Sequence, residues 1–450
     1  MLVSPSVVLL ATFVGFVSPF NHLLASLCGR GPREFDTVII RRCKREFHSL
    51  PPPSALVVEL VRQAGFFGLF NMQHIQLDLA LLTALVERWR PETHTFHFTF
   101  AEATVTLQDV EIITGLPVDG RPIIGRTDLN WEQIVQDLLG LSLENAVGRR
   151  GNKLTLQWLQ QHFNGEVEET DTQVQIEQKA HGYIMQLIGV VLVPDQSSSR
   201  VHLCYLKLLR GLRVDGQYSW GGMTDSTPPN LATHVVGHYR HSLDMQRPGE
   251  VIWQPYNNHL IELLPSFCSA GRNIWRAKVP FINFNIIEMH QLKKVMQQFG
   301  YRQLPPEASW ARDRSHGMEM KKPWTNWADE HRVHVARWNN RVEHNVPEGK
   351  PDIVGAYPNS DEYVTWYKKI TVPFVSQMSV SLDKAVGLVI GYTGGGEAGV
   401  DVHLCPEEIS TEGTSGVYGV RQWWLRKRRG WRMRGMLRYM LTRRFGLVRM

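Results

Sequence analysis

Cysteine is scarce in this 450-residue chain, and its five copies, Cys28, Cys43, Cys204, Cys268 and Cys405, are scattered with no C-x-x-C pair. That argues against a disulfide scaffold or a zinc finger and favours a reducing compartment. The dipeptide Gly-Asp is absent, so the G-D-x-H-G segments with which metallophosphatases hold two metals are missing too. Long apolar runs are also lacking. Val7 to Val17 spans eleven residues, well short of the roughly 20 that a membrane helix needs. It has the length of a signal-peptide core, but no Lys or Arg precedes it. A buried or unstructured leader is therefore expected, with a signal or anchor as the alternative. Finally, residues 421–450 contain no Asp or Glu but eleven of the chain's 49 Lys and Arg, which leaves 38 basic against 43 acidic side chains in the rest. The basic character belongs to the tail.

What is present reads as a folded protein: 43% of residues are hydrophobic and 20% charged, enough to build a sizeable core. Helix signals dominate. Residues 54–64 open on Ser54 and stop at Gly65. Thr106 with Asp109 forms a capping pair ahead of Leu107, Val110 and Ile113, closed by Gly115 and Pro117. Asn130 and Gln133 bracket a helix ending at Gly140. Ile176, Ala180, Ile184, Leu187, Ile188 and Val191 recur at helical spacing up to Pro194, the pattern of a central helix. Further helices are expected at 202–210, 290–299, 327–342 and 360–370, where Trp327, Trp338 and Trp366, like Trp324 just ahead, read as core residues. The glycine-rich stretch around Gly394 to Gly396 is no phosphate loop, because neither Lys-Ser nor Lys-Thr follows and no helix opens behind it.

Glu92, His94 and His97 raise the question of a metal site. Leu77, Leu81, Leu85 and Trp89 predict a helix running to Arg90 and stopped by Pro91, so the histidines lie beyond it. From Thr93 to Phe100 the pattern alternates, with Phe96, Phe98 and Phe100 on one face and Thr95, His97 and Thr99 on the other. On a strand, His94 and His97 point to opposite sides and cannot share an ion. The expectation is a half-buried strand beside a long helix.

These same residues carry a resemblance. ALLTALVERWRPETHTFHF and TLQDVEIITGLPVDGRPIIG closely resemble the opening block of the plant mobile domain, and later blocks agree in order: HGYIMQLIGVVLVPDQSSSRVHL, YSWGG, VIWQPY, VPFINFNIIEMHQLKKVMQQFGYRQLPP and YVTWYKKIT. The resemblance implies a mainly α-helical, large single domain with a minor β element. Its organisation would be an N-terminal extension at 1–49, the domain at 50–376, a Gly/Ser-rich linker at 377–420 and a basic tail at 421–450. After Gly221 the family pattern is interrupted, an apparent deletion near 222–231. The family is sometimes labelled aminotransferase-like. Its host members of the maintenance-of-meristems type are viewed as nuclear factors in transposon silencing, genome stability and development, and some relatives are fused to or partnered with a phosphatase.

No enzyme motif stands out. Aminotransfer needs a Schiff-base lysine, and neither Lys179 nor Lys207 is singled out. A transposase-type nuclease needs three carboxylates around Mg²⁺; Asp109, Glu111 and Asp119 cluster in sequence, but Asp109 already has a capping role. No catalytic residue, cofactor or metal is therefore expected. Binding is the stronger reading. Arg426, Lys427, Arg428 and Arg429 form a short nuclear-localisation signal, and with Trp423, Trp424 and Trp431 they suit RNA or single-stranded DNA, arginines on phosphates and rings on bases. The tail also reads as a membrane-surface segment or as the product of a misassigned exon. The expectation is a non-catalytic nuclear protein that recruits partners, a phosphatase-like protein among them; the alternative is a transposon-derived nucleic-acid-binding protein or degenerate transposase.

Overall fold

The computed structural model describes residues 52–71, 95–142, 149–193, 199–211, 218–222, 233–306, 326–347 and 361–375, together with positions 81, 84, 85, 87–90 and 93. The fold is mainly α, with three small antiparallel sheets among the described residues. The leader, linker and tail, Trp324, and the segment after Gly222 up to residue 232 lie outside them.

The largest core forms around α6 (Gln173–Leu187), which packs against α1 (Ala55–Gln63), α4 (Trp131–Leu139), α5 (Leu156–His162) and α7 (Cys204–Leu208). Thr172 and Gln175 close a capping box at its start, and Ile176, Ala180, Ile184, Leu187 and Ile188 are buried as their spacing predicts. Each such Leu or Ile contributes about 1.5–3 kcal/mol by leaving water. The helix then widens into a π-turn over Ile188–Leu192. The short α2 (Phe67–Phe70) meets α3 (Leu107–Thr114) at two glycines. Gly115 ends α3 in the left-handed conformation, φ +64°, and a Cβ on Gly68 would sit 2.6 Å from its Cα. Glycine is required on both sides of this contact.

A second core joins α3 to α9 (Asn258–Glu262), to the hairpin β7 (Pro280–Asn283) and β8 (Ile286–Met289), and to Trp338 of α11 (Arg332–Asn339). The hairpin turns on Phe284, whose positive φ of 47° is unusual for a non-glycine residue. Its amide donates to the Ile123 carbonyl and its ring packs edge-on against Tyr205, which hold the turn in place.

Four expectations need correcting. The helix foreseen to Arg90 gives way earlier: Ala84 and Leu85 are helical, but Trp89–Arg90 is strand β1, paired in register with Phe96 and Thr95 of β2 (Thr95–His97). The apolar stripe survives the change, because Trp89 packs its ring on Phe96, 4.8 Å away. Second, β2 is buried on both faces, since Thr95 and His97 face a polar network instead of solvent. Third, residues 290–299 form two 3₁₀ turns, Leu292–Lys294 and Met296–Phe299, in place of one α-helix. Fourth, the helix at 327–342 is split into α10 (Trp327–Glu330) and α11 at buried His331, which stacks on Trp327 at 5.6 Å. Trp327 and Trp338 are core residues and Trp366 packs beside Tyr363, as the spacing implies.

Candidate functional site

The densest chemistry in the described residues surrounds the sheet β1-β2-β3, with β3 at Glu102–Ala103. Glu102 is fully buried. Its carboxylate accepts from Thr95 Oγ1 at 2.8 Å and from the Tyr363 hydroxyl at 3.3 Å, and its own amide donates to that hydroxyl at 3.2 Å. His97 places Nε2 3.1 Å from Thr93 Oγ1 and 3.4 Å from Glu102 Oε1. Lys294, almost wholly buried, donates to the Thr93 carbonyl at 3.2 Å. Tyr363 and Tyr367 come from α12 (Asp361–Ile370), their rings stacked 5.6 Å apart. The Tyr367 hydroxyl reaches the carbonyls of Phe98 and Ala101 at 2.7 and 3.0 Å. Arg88 spans the other edge, donating to the His97 carbonyl and forming a buried ion pair with Asp244, the last residue of α8 (Thr233–Asp244).

Electrostatics follow burial. Removal from water pushes both tyrosine hydroxyls well above the ordinary range, so they stay protonated donors. Burial lowers Lys294, with the Glu102 charge opposing it, and lowers Arg88, with Asp244 opposing. A hydrolytic triad needs a histidine that contacts the nucleophile through one ring nitrogen and a carboxylate through the other. Here Thr93 and Glu102 both meet Nε2, and Nδ1 has no hydrogen-bond partner. The arrangement locks strands together; it does not activate Thr93.

The sequence-based candidates are dispersed. Asp109 closes the capping box with Thr106. Glu111 accepts from the Gly271 amide at 2.7 Å and the Trp275 indole at 2.6 Å, and Asp119 pairs with Arg341. Each of the three carboxylates thus serves its own structural bond. Lys179 is ion-paired with Asp171, while Lys207 is exposed on α7. The lysine the structure does single out, Lys294, does not fit a pyridoxal anchor: it is 3% exposed and held against a backbone carbonyl. His94 and the tail candidates Trp423, Trp424, Arg426, Lys427, Arg428, Arg429 and Trp431 lie outside the described residues. Sequence reasoning missed Arg88, Glu102, Asp244, Lys294, Tyr363 and Tyr367. The one available signal was a carboxylate, Glu102, set in the apolar run FTFAEA.

Glu111 supplies a pH dependence. Burial, first, and then the nearby Asp119 charge raise its carboxyl to about 7, against hydrogen bonds from Gly271, Trp275 and Val118 that favour the anion. The folded state therefore holds a proton that the unfolded chain releases near pH 4.5. This contribution to stability is complete below that pH and is lost as pH rises to about 7, by up to about 3 kcal/mol. Chemical denaturation between pH 4.5 and 7.5 should show a falling stability in the parent chain and a distinctly shallower fall in Glu111→Gln.

The plant mobile domain family profile matches residues 65–227 and 229–368, more than half of the chain. The chain belongs to the plant mobile domain family. Three Arabidopsis thaliana relatives agree. The plant mobile domain chain is 31% identical over 396 residues to a protein named serine/threonine-protein phosphatase 7 long form homolog, covering 73% of this chain and 29% of that protein. It is 27% identical over 380 residues to Protein MAIN-LIKE 2, covering 71% of this chain and 55% of the relative. It is also 27% identical over 372 residues to Protein MAINTENANCE OF MERISTEMS, covering 70% and 74%. The chain thus spans under a third of the first relative and about half of the second. No solved structure matches. Among the described residues of this plant mobile domain, no helix is long and apolar enough to cross a membrane.

Proposed function

We propose that this plant mobile domain protein is a non-catalytic nuclear factor that recruits partners in transposable-element silencing, genome stability or meristem maintenance. The observation that carries the reading is the similarity to MAINTENANCE OF MERISTEMS, which runs through 70% of this chain and 74% of that protein. The site chemistry supports it. The buried carboxylates, hydroxyls and lysine of the β1-β2-β3 centre are directed at each other and at backbone groups, as in a scaffold. A phosphatase-like nuclear protein is the partner we propose, and Arg426, Lys427, Arg428 and Arg429 the import signal.

The test is expression of the full chain, fused to a fluorescent protein, in Arabidopsis thaliana lacking MAINTENANCE OF MERISTEMS. The expected result is nuclear accumulation with reduced transposon transcripts, both lost when the four basic residues become alanine. Cytoplasmic retention of the parent fusion, or secretion, overturns the nuclear reading.

A further inference from the structure

The small sheet of β4 (Arg149–Arg150), β5 (Lys153–Thr155) and β6 (Arg200–His202) has a use beyond packing. Leu154 and Val201 pair in register and are buried in the main core. Strand alternation then sets Lys153, Thr155, Arg200 and His202 on the opposite face, with Arg150 in register beside Lys153. That face carries basic and hydroxyl positions and no carboxylate. Across the chain before the tail, by contrast, acidic residues outnumber basic ones.

Pairing sharpens the contrast. Several arginines and lysines on other elements meet carboxylates: Arg126 with Asp128, Lys179 with Asp171, Arg210 with Asp137, Arg240 with Glu87 and Arg341 with Asp119. Half-buried Arg200 has no ion pair among the described residues. His202 is equally specific. Its Nδ1 accepts the Cys204 amide at 3.1 Å, so the ring proton sits on Nε2, a donor with no hydrogen-bond partner among the described residues. Burial first, and then the Lys153 charge, lower its pKa to about 4, which keeps the ring neutral at physiological pH. An anion seated by Lys153 would reverse that second effect.

We propose that this sheet face binds the phosphodiester backbone of a nucleic acid, Lys153 and Arg200 neutralising phosphates and His202 Nε2–H donating to a phosphate oxygen. Strands spaced about 4.8 Å apart, with same-face residues about 6.6 Å apart along each strand, present these groups as a flat array suited to a repeating anion. The inference deepens the nuclear reading and rests on it for the compartment.

The experiment measures binding of the full chain to a short labelled DNA duplex and to a single-stranded RNA by fluorescence anisotropy across salt. It uses a background in which Arg426, Lys427, Arg428 and Arg429 are alanine, so the tail signal is reduced. Lys153→Gln with Arg200→Gln is expected to weaken binding and to lower the slope of log K against log salt by about 2, roughly one per cation. Thermal unfolding of the same variants checks that they fold. As a second readout, NMR titration of His202 in the folded parent should show its pKa rising when the nucleic acid is added, which loss of folding would not imitate. Absence of binding in the tail-substituted chain overturns the proposal, as does an unchanged slope, an unmoved His202, or equal binding of polyglutamate. Binding with the expected slope in a protein that stays out of the nucleus refutes the compartment and leaves the sheet face standing.

Discussion

Arg88→Met lowers the stability of the folded chain by about 3–5 kcal/mol, because it strands a carboxylate that has no access to water. Arg88 and Asp244 are 1% and 0% exposed at their side chains. Removing the guanidinium takes the ion-pair partner from Asp244, which also accepts from the Val375 amide at 3.0 Å, and frees the His97 carbonyl as well. Hydrophobic replacement of both partners is the control. Arg88→Met with Asp244→Leu should recover most of the loss, since two desolvated charges then disappear together. Urea denaturation of the parent, both single variants and the double variant gives the cycle. Equal midpoints for the parent and Arg88→Met would show that the pair is solvated.

Trp220→Ala costs a comparable amount, about 3–5 kcal/mol, by opening a cavity in place of a lost salt bridge. Trp220 is 1% exposed and lies 4.8 Å from the Phe66 ring and 5.9 Å from Tyr218. The segment around it is tied down on both sides. Ser219 donates from its amide to the Arg121 carbonyl and from its hydroxyl to Val118, and the Gly221 amide donates to Pro117. Neighbouring backbone cannot collapse into the space, so the variant should melt at a clearly lower temperature by circular dichroism. Trp220→Phe retains part of the ring contact and should fall between the two. A melt unchanged by Trp220→Ala would show that the YSWGG block is not part of the core.

Legibility in the sequence followed the range of the interactions. Ser54, Thr106 and Asn130 each cap the helix behind them, because a cap and its target amides lie within three residues. The failures lie where a distant group competes. Leu292, Val295, Met296 and Phe299 have helical spacing, yet this backbone finds partners elsewhere. Gln303, wholly buried, takes the Met296 amide and donates to the Lys293 carbonyl, while Gln298 bonds both the amide and the carbonyl of Thr104 at 2.9 Å. Side-chain amides thus replace the i to i−4 ladder, and nothing local announces it. The candidate site was illegible for the same reason. Tyr363 and Glu102 are 261 positions apart, and only the fold makes them neighbours. Family resemblance identified the domain without revealing that contact.

That separation also has a temporal side. The ribosome adds about 5–20 residues per second. The strand bearing Glu102 therefore emerges about 13 to 50 s before Tyr363 and Tyr367 are made. Through that interval the carboxylate lacks its phenol donor, and the carbonyls of Phe98 and Ala101 lack theirs. The polar centre of the first sheet is thus completed late, and a nascent chain arrested before Asp361 displays it without its two tyrosine donors.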